Sequence, residues 1–211
     1  MFHVKHSVAD ILQHHRRELQ LNLPDERWTA LADGIDWLFP LAHQMGLTNY
    51  PEVTEFTSNL VAPLFPLLHP DLQDYLLSPA LDFGAGSGAV GLSLAILRPD
   101  IDVVLADRRA RVVQFLDLAS RRLHLSNCST LQADLAAPPA PWREACGTVL
   151  IRAFGPTDTA LLHAAQLVRP GGSIALWHRP PSPAPPADLR QAHTLMTSVL
   201  ALSLTIYDRP E

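Results

Sequence analysis

The stretch "PALDFGAGSGAVGLSLAIL", Pro79 to Leu97, decides the reading of this chain. An apolar run closes on Asp82, and Gly84, Gly86, Gly88 and Gly91 follow within eight positions, although the 211 residues hold only ten glycines. A short apolar run, a glycine loop and then an apolar segment of helical length spell strand, turn and helix, with the helix beginning at about Ser87. Glycine lets a backbone bend sharply and come close to a ligand with no side chain between them. The first N–H groups of the helix then face that ligand. The pattern Asp82-x-Gly84-x-Gly86-x-Gly88-x-x-Gly91 also contains G-x-G-x-x-G, so a dinucleotide stands as one alternative ligand.

Outward from this stretch, short apolar runs alternate with helical segments. "ALDF", "DVVLA", "STLQA", "GTVLI" and "SIALW" read as strands, and "AVGLSLAIL" and "ARVVQFLDLASRRLHL" as helices between them. Alternation of this kind predicts an α/β fold, a mainly parallel central sheet flanked by helices. "RPGG" (Arg169–Gly172) reads as a turn before the fifth strand, residues 179–187 as a stiff proline-rich loop, "HTLMTSVL" as a helix and "ALSLTIY" as the last strand. Upstream, "SVADILQHHRREL" and "DERWTALADGIDWLFPLAHQMG" carry apolar residues at helical spacing. Pro24, with Asp25 and Glu26 after it, suits a helix start. "YPEVTEFTSNLVAPLFPLL" reads as a further helix broken near Pro63 and Pro66. The expected organisation is an N-terminal helical extension over residues 1–77 and a Rossmann-like domain over 78–211.

Composition narrows the classes. Hydrophobic residues make up 47% of the chain, enough for a sizeable core. No apolar run reaches the ~18 residues of a membrane span, so no membrane partner is expected. Cys128 and Cys146 have no metal-ligand spacing and form no disulfide framework, which makes a reducing cytoplasm the expected compartment. His14 and His15 diverge on a helix, His3 and His6 sit at the terminus, and no H-E-x-x-H occurs, so no metal site is expected. Residues 1–77 hold ten acids against four basic residues, while the remainder is nearly balanced. The visible basic patch is Arg108, Arg109, Arg111, Arg121 and Arg122 on the second crossover helix, which offers either a solvated face or a phosphate contact.

Chemistry-bearing residues fall at four successive strand ends. Asp82, just before the first glycine, suits a ligand with a cationic amine, such as the methionine part of S-adenosylmethionine, and suits a pyrophosphate poorly. D-x-G-x-G-x-G is the form seen in Rossmann-like methyltransferases. Asp107 ends the second strand some twenty residues on, where an acid accepts from ribose hydroxyls; capping the next helix is the other role open to it. Asp134 ends the third strand, placed for an adenine amino group or for a turn. Arg152 ends the fourth, at the ligand-binding edge or in a buried ion pair.

These residues resemble those of bacterial small-subunit ribosomal RNA guanine-N7 methyltransferases of the G type, also called glucose-inhibited division protein B, over roughly Leu81 to Trp177. "DFGAGSGAVGLSLAILRPDIDVVLAD" is similar to that family's first strand, loop, helix and second strand. "DRRARVVQFL" matches the segment after it, "IRAF" its "SRAF", and "LVRPGGSIAL" its "LLKPGG" turn and fifth strand. The resemblance implies a Rossmann-like class I methyltransferase fold and S-adenosyl-L-methionine as cofactor. Position by position it implies contacts from Gly84, Ala89, Asp107, Leu135, Ala136 and Arg152; the expected cofactor site adds Asp82, Ala85, Gly86, Gly88, Arg108 and Asp134 around them. Arg152 and Phe154 would position a flat substrate, guanine in 16S ribosomal RNA of the small ribosomal subunit, with core packing the other role open to Phe154. The sequence departs from the family at Asp134-Leu135-Ala136, where Arg-Ala-Glu is usual, at His178 in place of a lysine, and in the helical region, where only "GLT" (Gly46–Thr48) and "EFTSN" (Glu55–Asn59) remain. The C-terminal end is short, so the closing strand hairpin is expected to be trimmed. A different methyl acceptor, such as a small molecule, and a non-catalytic cofactor-binding protein stand as alternatives.

Overall fold

The computed structural model describes residues 7–153, 155–196 and 202–211. Its helices and strands follow the chain as α1 (Val8–Glu18), α2 (Asp25–Gln44), α3 (Val53–Phe56), β1 (Ala80–Phe83), α4 (Ala89–Leu97), β2 (Val103–Asp107), α5 (Ala110–Arg122), β3 (Cys128–Gln132), β4 (Cys146–Arg152), α6 (Thr157–Ala165), β5 (Val168–His178), β6 (Arg190–Met196) and β7 (Ser203–Asp208). The strands form one sheet in the order β3-β2-β1-β4-β5-β7-β6. β1 to β5 are parallel, and β7 and β6 close the sheet antiparallel to their neighbours. Because the order reverses between β1 and β4, the carboxyl ends of those two strands open a crevice, where ligands bind in such sheets.

Side-chain alternation explains how the sheet is covered. Leu81, Phe83, Val104, Ala106, Val149 and Ile151 pack on one face with α6, and Leu105, Leu150, Ala175 and Trp177 pack on the other with α4 and α5. That second face carries a further layer. α4 is buried over nearly its whole circumference and bears no charge, because α2 lies on its outer side. Gly34 of α2 marks the approach, since a Cβ there would stand 3.2 Å from Ile96 Cδ1. Trp28, Leu31 and Ile35 of α2 share one core with α4, and the Trp28 and Phe65 rings meet edge to face at 5.3 Å. Trp177 of β5 donates its indole N–H to the carbonyl of Pro63 at 2.8 Å.

Several sequence expectations need correcting. Residues 193–196 of the expected "HTLMTSVL" helix belong to strand β6, and residues 197–200 lie outside the described residues. Thr194, Leu195 and Met196 face Thr205, Leu204 and Ser203 across β7; pairing with an open strand edge outweighs weak helical spacing. The closing hairpin expected to be trimmed is therefore present as β6 and β7. "RPGG" is no separate turn but a bulge inside β5, where the register with β4 jumps between Cys146 and Thr148. α4 starts at Ala89 rather than Ser87, because Gly88 in the left-handed region caps it. The segment expected to be a broken helix turns through α3, a π-helical turn at Thr57–Val61 and 3-10 turns at Ala62–Leu68 and Pro70–Tyr75. The proline-rich loop packs on β7, with the Tyr207 hydroxyl donating to Pro183 O at 2.8 Å. No helix among the described residues is long and apolar enough to cross a membrane.

Candidate functional site

The glycine loop is stitched to the next strand over. The N–H groups of Gly84 and Ala85 both donate to Ala106 O, at 3.0 and 2.8 Å. Gly84 and Gly86 hold φ of +78° and +54°, a region other residues enter at a cost. A Cβ at Gly86 would meet nothing nearer than Gly84 O at 3.7 Å, so this loop face opens on space. Gly88 and Gly91 serve packing. A Cβ on Gly88 would stand 2.6 Å from Leu92 Cδ1, and one on Gly91 2.3 Å from Leu105 Cδ2. The loop thus combines Gly86, whose face opens on space, and Gly84, which borders two cavities over the strand ends, with two glycines that seat α4 against the sheet.

Two adjoining cavities lie over the strand ends. The smaller, about 220 Å³, is bordered by Asp82, Ser87, Ala89, Arg152 and by Leu47 and Leu60 of the helical region. The larger, about 370 Å³, is bordered by Asp107, Arg108, Ala133, Asp134 and Leu135. Gly84, Arg109 and Ala153 border both. A cavity of about 700 Å³ lies elsewhere, among Ile11, Asp36, Glu52 and Glu55; size alone does not make it the site, since it touches neither the glycine loop nor the strand ends. Among the described residues no group of three or more His, Cys, Asp or Glu side chains is placed to hold a metal ion.

Asp82 is only 4% exposed. Its Oδ2 accepts from Gly91 N–H at 2.8 Å, tying the end of β1 to the first turn of α4. Burial pushes the carboxyl up to about 7, the Gly91 bond holding it down and nearby Asp107 adding to the rise. The group therefore changes charge near neutrality, with no cation among the described residues acting to keep it ionised. A ligand carrying an ammonium group would supply that cation.

Asp107 is also nearly buried, at 5% exposure. Its Oδ1 accepts from the backbone N–H and Nε of Arg109 at 2.9 and 3.0 Å. Its Oδ2 accepts from Arg109 Nη2 at 2.9 Å and from Gly86 N–H at 3.3 Å. Burial works to raise this carboxyl, but the Arg109 and Gly86 bonds outweigh it and hold Asp107 below the ordinary carboxylate value. Two acids one strand apart are thus driven in opposite directions.

Arg152 ends β4 beside the smaller cavity. Its Nη2 donates to the carbonyl of Asn59. Among the described residues its buried Nε and Nη1 have no hydrogen-bond partner, and burial lowers its pKa. A guanidinium with two idle donors in such a place is suited to an anionic oxygen or a base edge, since buried donors are rarely left unpaired.

The sequence-named residues are largely brought together. Asp82, Gly84, Ala85, Gly86, Ala89, Asp107, Arg108, Asp134, Leu135 and Arg152 border the two cavities. Gly88 does not, being a packing position, and neither does Ala136. Asp134 Oδ1 accepts from Ala136 N–H at 3.1 Å, the turn-forming role that was open to it. Phe154 lies outside the described residues. Sequence reading missed Arg109 as a site residue, although D-x-R after a strand was a usable signal. It missed Leu47, Leu60 and the Asn59 carbonyl.

Comparison with known proteins agrees with this geometry. Residues 33–184 match the family model described as rRNA small subunit methyltransferase G. A Thermotoga neapolitana protein named Ribosomal RNA small subunit methyltransferase G is 34% identical over 122 residues, covering 58% of this chain and 52% of its own length. The chain spans about half the length of the curated relatives it matches. Among solved structures, HI0767 from Haemophilus influenzae superposes with a TM-score of 0.54 at 18% identity, over 71% of this chain and 98% of that one. Pyrococcus horikoshii TYW2, solved in complex with MeSAdo, superposes with a TM-score of 0.52 at 14% identity, over 66% and 63%. At these identities the two structures speak for the fold alone.

Proposed function

We propose, from the premise that this chain belongs to the rRNA small subunit methyltransferase G family, that it methylates N7 of a guanine in small-subunit ribosomal RNA using S-adenosylmethionine. The observation that carries this reading is the convergence of three groups on one crevice: the Gly84–Gly86 turn with its open Gly86 face, the Asp107 carboxylate and the idle Arg152 donors. The bound cofactor would supply an electrophilic methyl on a sulfonium centre.

The chain's own residues would then hold and orient. Asp107 is the acceptor for ribose hydroxyls, and Leu135 with Ala133 gives the larger cavity an apolar wall for a flat base. Asp82 provides negative charge for an ammonium group, and Arg152 Nε and Nη1 provide donors for a carboxylate or a guanine oxygen. Guanine N7 carries a free lone pair, so its attack needs no base. The lining fits that economy: among the described residues the smaller cavity holds no histidine or cysteine and one carboxyl, Asp82, which has an oxygen tied to Gly91. Rate enhancement would come from alignment of the reacting atoms. The division at residue 77/78 belongs to the same proposal, with the helical part supplying Leu47, Leu60 and Asn59 to the site. One observation favours a second acceptor class: the acid-lined cavity beside Asn59 repels phosphate, so a small neutral or cationic acceptor is the competing reading.

The test is transfer of labelled methyl from S-adenosylmethionine to 30S particles that lack the modification, followed by nucleoside analysis. Label in 7-methylguanosine is expected. Active cofactor binding with no label in ribosomal RNA at saturating cofactor would overturn the ribosomal substrate.

A further inference from the structure

Asp107 has no acceptor capacity left over. An ionised carboxylate offers about four lone-pair positions, and four donors fill them: three from Arg109 and one from Gly86. The two side-chain donors of Arg109 form a fork across both carboxylate oxygens, which is the same pair of sites that a vicinal diol with two O–H donors needs. The Arg109 side chain is 55% exposed while Asp107 is 5% exposed, so the fork can swing into solvent and the acid cannot. Arg109 also borders both cavities. Its side chain makes no cap bond to α5, so the helix does not depend on the fork staying closed.

We propose that Arg109 is a specificity- and affinity-setting residue that competes with the ribose diol of the cofactor for Asp107, so that the nucleoside binds only to the fraction of molecules in which the fork has opened. The inference rests on the cofactor reading above. Its consequence is arithmetical: apparent affinity is the intrinsic affinity multiplied by the open fraction. A half-exposed bidentate pair closed in roughly nine molecules of ten reduces affinity about tenfold. The backbone N–H of Arg109 and that of Gly86 stay on Asp107 whatever the side chain does, so removing the side chain frees the two diol positions while leaving the acid oriented.

The experiment is calorimetric titration of the full chain and its Arg109→Ala and Arg109→Gln variants, each checked for unchanged thermal unfolding. The probes are S-adenosylhomocysteine, adenosine and 2′,3′-dideoxyadenosine. The expected result is about tenfold tighter binding of S-adenosylhomocysteine and adenosine to both variants, with no gain for the dideoxynucleoside. A wild-type chain too weak to titrate beside a variant that binds supports the competition equally. Equal or weaker binding by the variants, with the wild type binding, overturns the competition and leaves the cofactor reading standing. An equal gain for the dideoxynucleoside overturns it too, because the side chain would then merely obstruct the cavity mouth. Failure of all three proteins to bind any probe at millimolar concentration removes the cofactor reading and this inference with it.

Discussion

Substituting Asn for Asp82 tests the buried carboxyl at the heart of the loop. Asp82 goes from an ordinary 3.8 up to about 7 on folding, chiefly because burial disfavours its charge. The folded chain then binds this proton roughly a thousandfold more tightly than the unfolded chain, which is about 4 kcal/mol. The sign follows from the direction. Below pH 3.8 both states are protonated and the contribution is fully present; it is lost as pH rises through about 7, where the folded carboxyl must ionise inside the protein. About 2–3 kcal/mol of that loss falls between pH 5 and pH 8, by the same linkage. Other groups also titrate, among them His15, lowered first by burial, and Asp36, raised first by burial, so the quantity to read is the difference between wild type and Asp82→Asn. An amide oxygen can keep accepting from Gly91 N–H, and any cost of burying the amide is the same at every pH. Urea unfolding at pH 5 and pH 8 should show the variant gaining on the wild type by about 2–3 kcal/mol as pH rises. A difference that stays constant across this range would refute the claim that Asp82 is buried without a compensating cation.

Other outcomes follow from the same geometry. Asp107→Ala should weaken S-adenosylmethionine binding about ten- to hundredfold in calorimetry, the range for hydrogen bonds to a charged group; unchanged affinity would remove Asp107 from the site. Arg152→Met should raise the thermal midpoint by a few degrees, roughly 1 kcal/mol, because it deletes two buried unpaired donors, while reducing cofactor affinity or methyl transfer at least about tenfold. A stability loss with intact binding would contradict the role given to those donors. Gly91→Ala should cost about 1–3 kcal/mol in urea unfolding, since its Cβ would meet Leu105 Cδ2 at 2.3 Å and Asp82 Oδ2 at 2.8 Å. Gly86→Ala, whose Cβ meets only Gly84 O at 3.7 Å, should cost about 1 kcal/mol for its positive φ and show its main effect in ligand affinity.

What the sequence disclosed and what it withheld divide along physical lines. β1, the glycine loop and α4 were legible because glycine spacing and an unbroken apolar helix have few other readings. Asp107 and Arg152 were legible by position alone, since residues at parallel strand ends converge whatever their side chains then do. The fork of Arg109 on Asp107 was not, because it depends on side-chain rotamers that a sequence does not record. The Asn59 carbonyl was hidden for a different reason: it is backbone, and no side-chain pattern marks it. β6 misled because Leu195 and Met196 carry weak helical spacing, and their partner strand β7 is joined through a hairpin no local signal announces. The charge state of Asp82 was also out of reach, for it follows from how deeply α4 settles on β1, which Gly88 and Gly91 control together.

The most direct measurement is a crystal structure of the chain grown with S-adenosylhomocysteine. The account predicts density across the Gly84–Gly86 turn, the ribose hydroxyls on Asp107 with the Arg109 side chain displaced, and the carboxylate within reach of Arg152 Nε and Nη1. Density in the acid-lined cavity near Asp36 and Glu52, with the Asp107–Arg109 fork and the strand-end crevice unchanged, would contradict it.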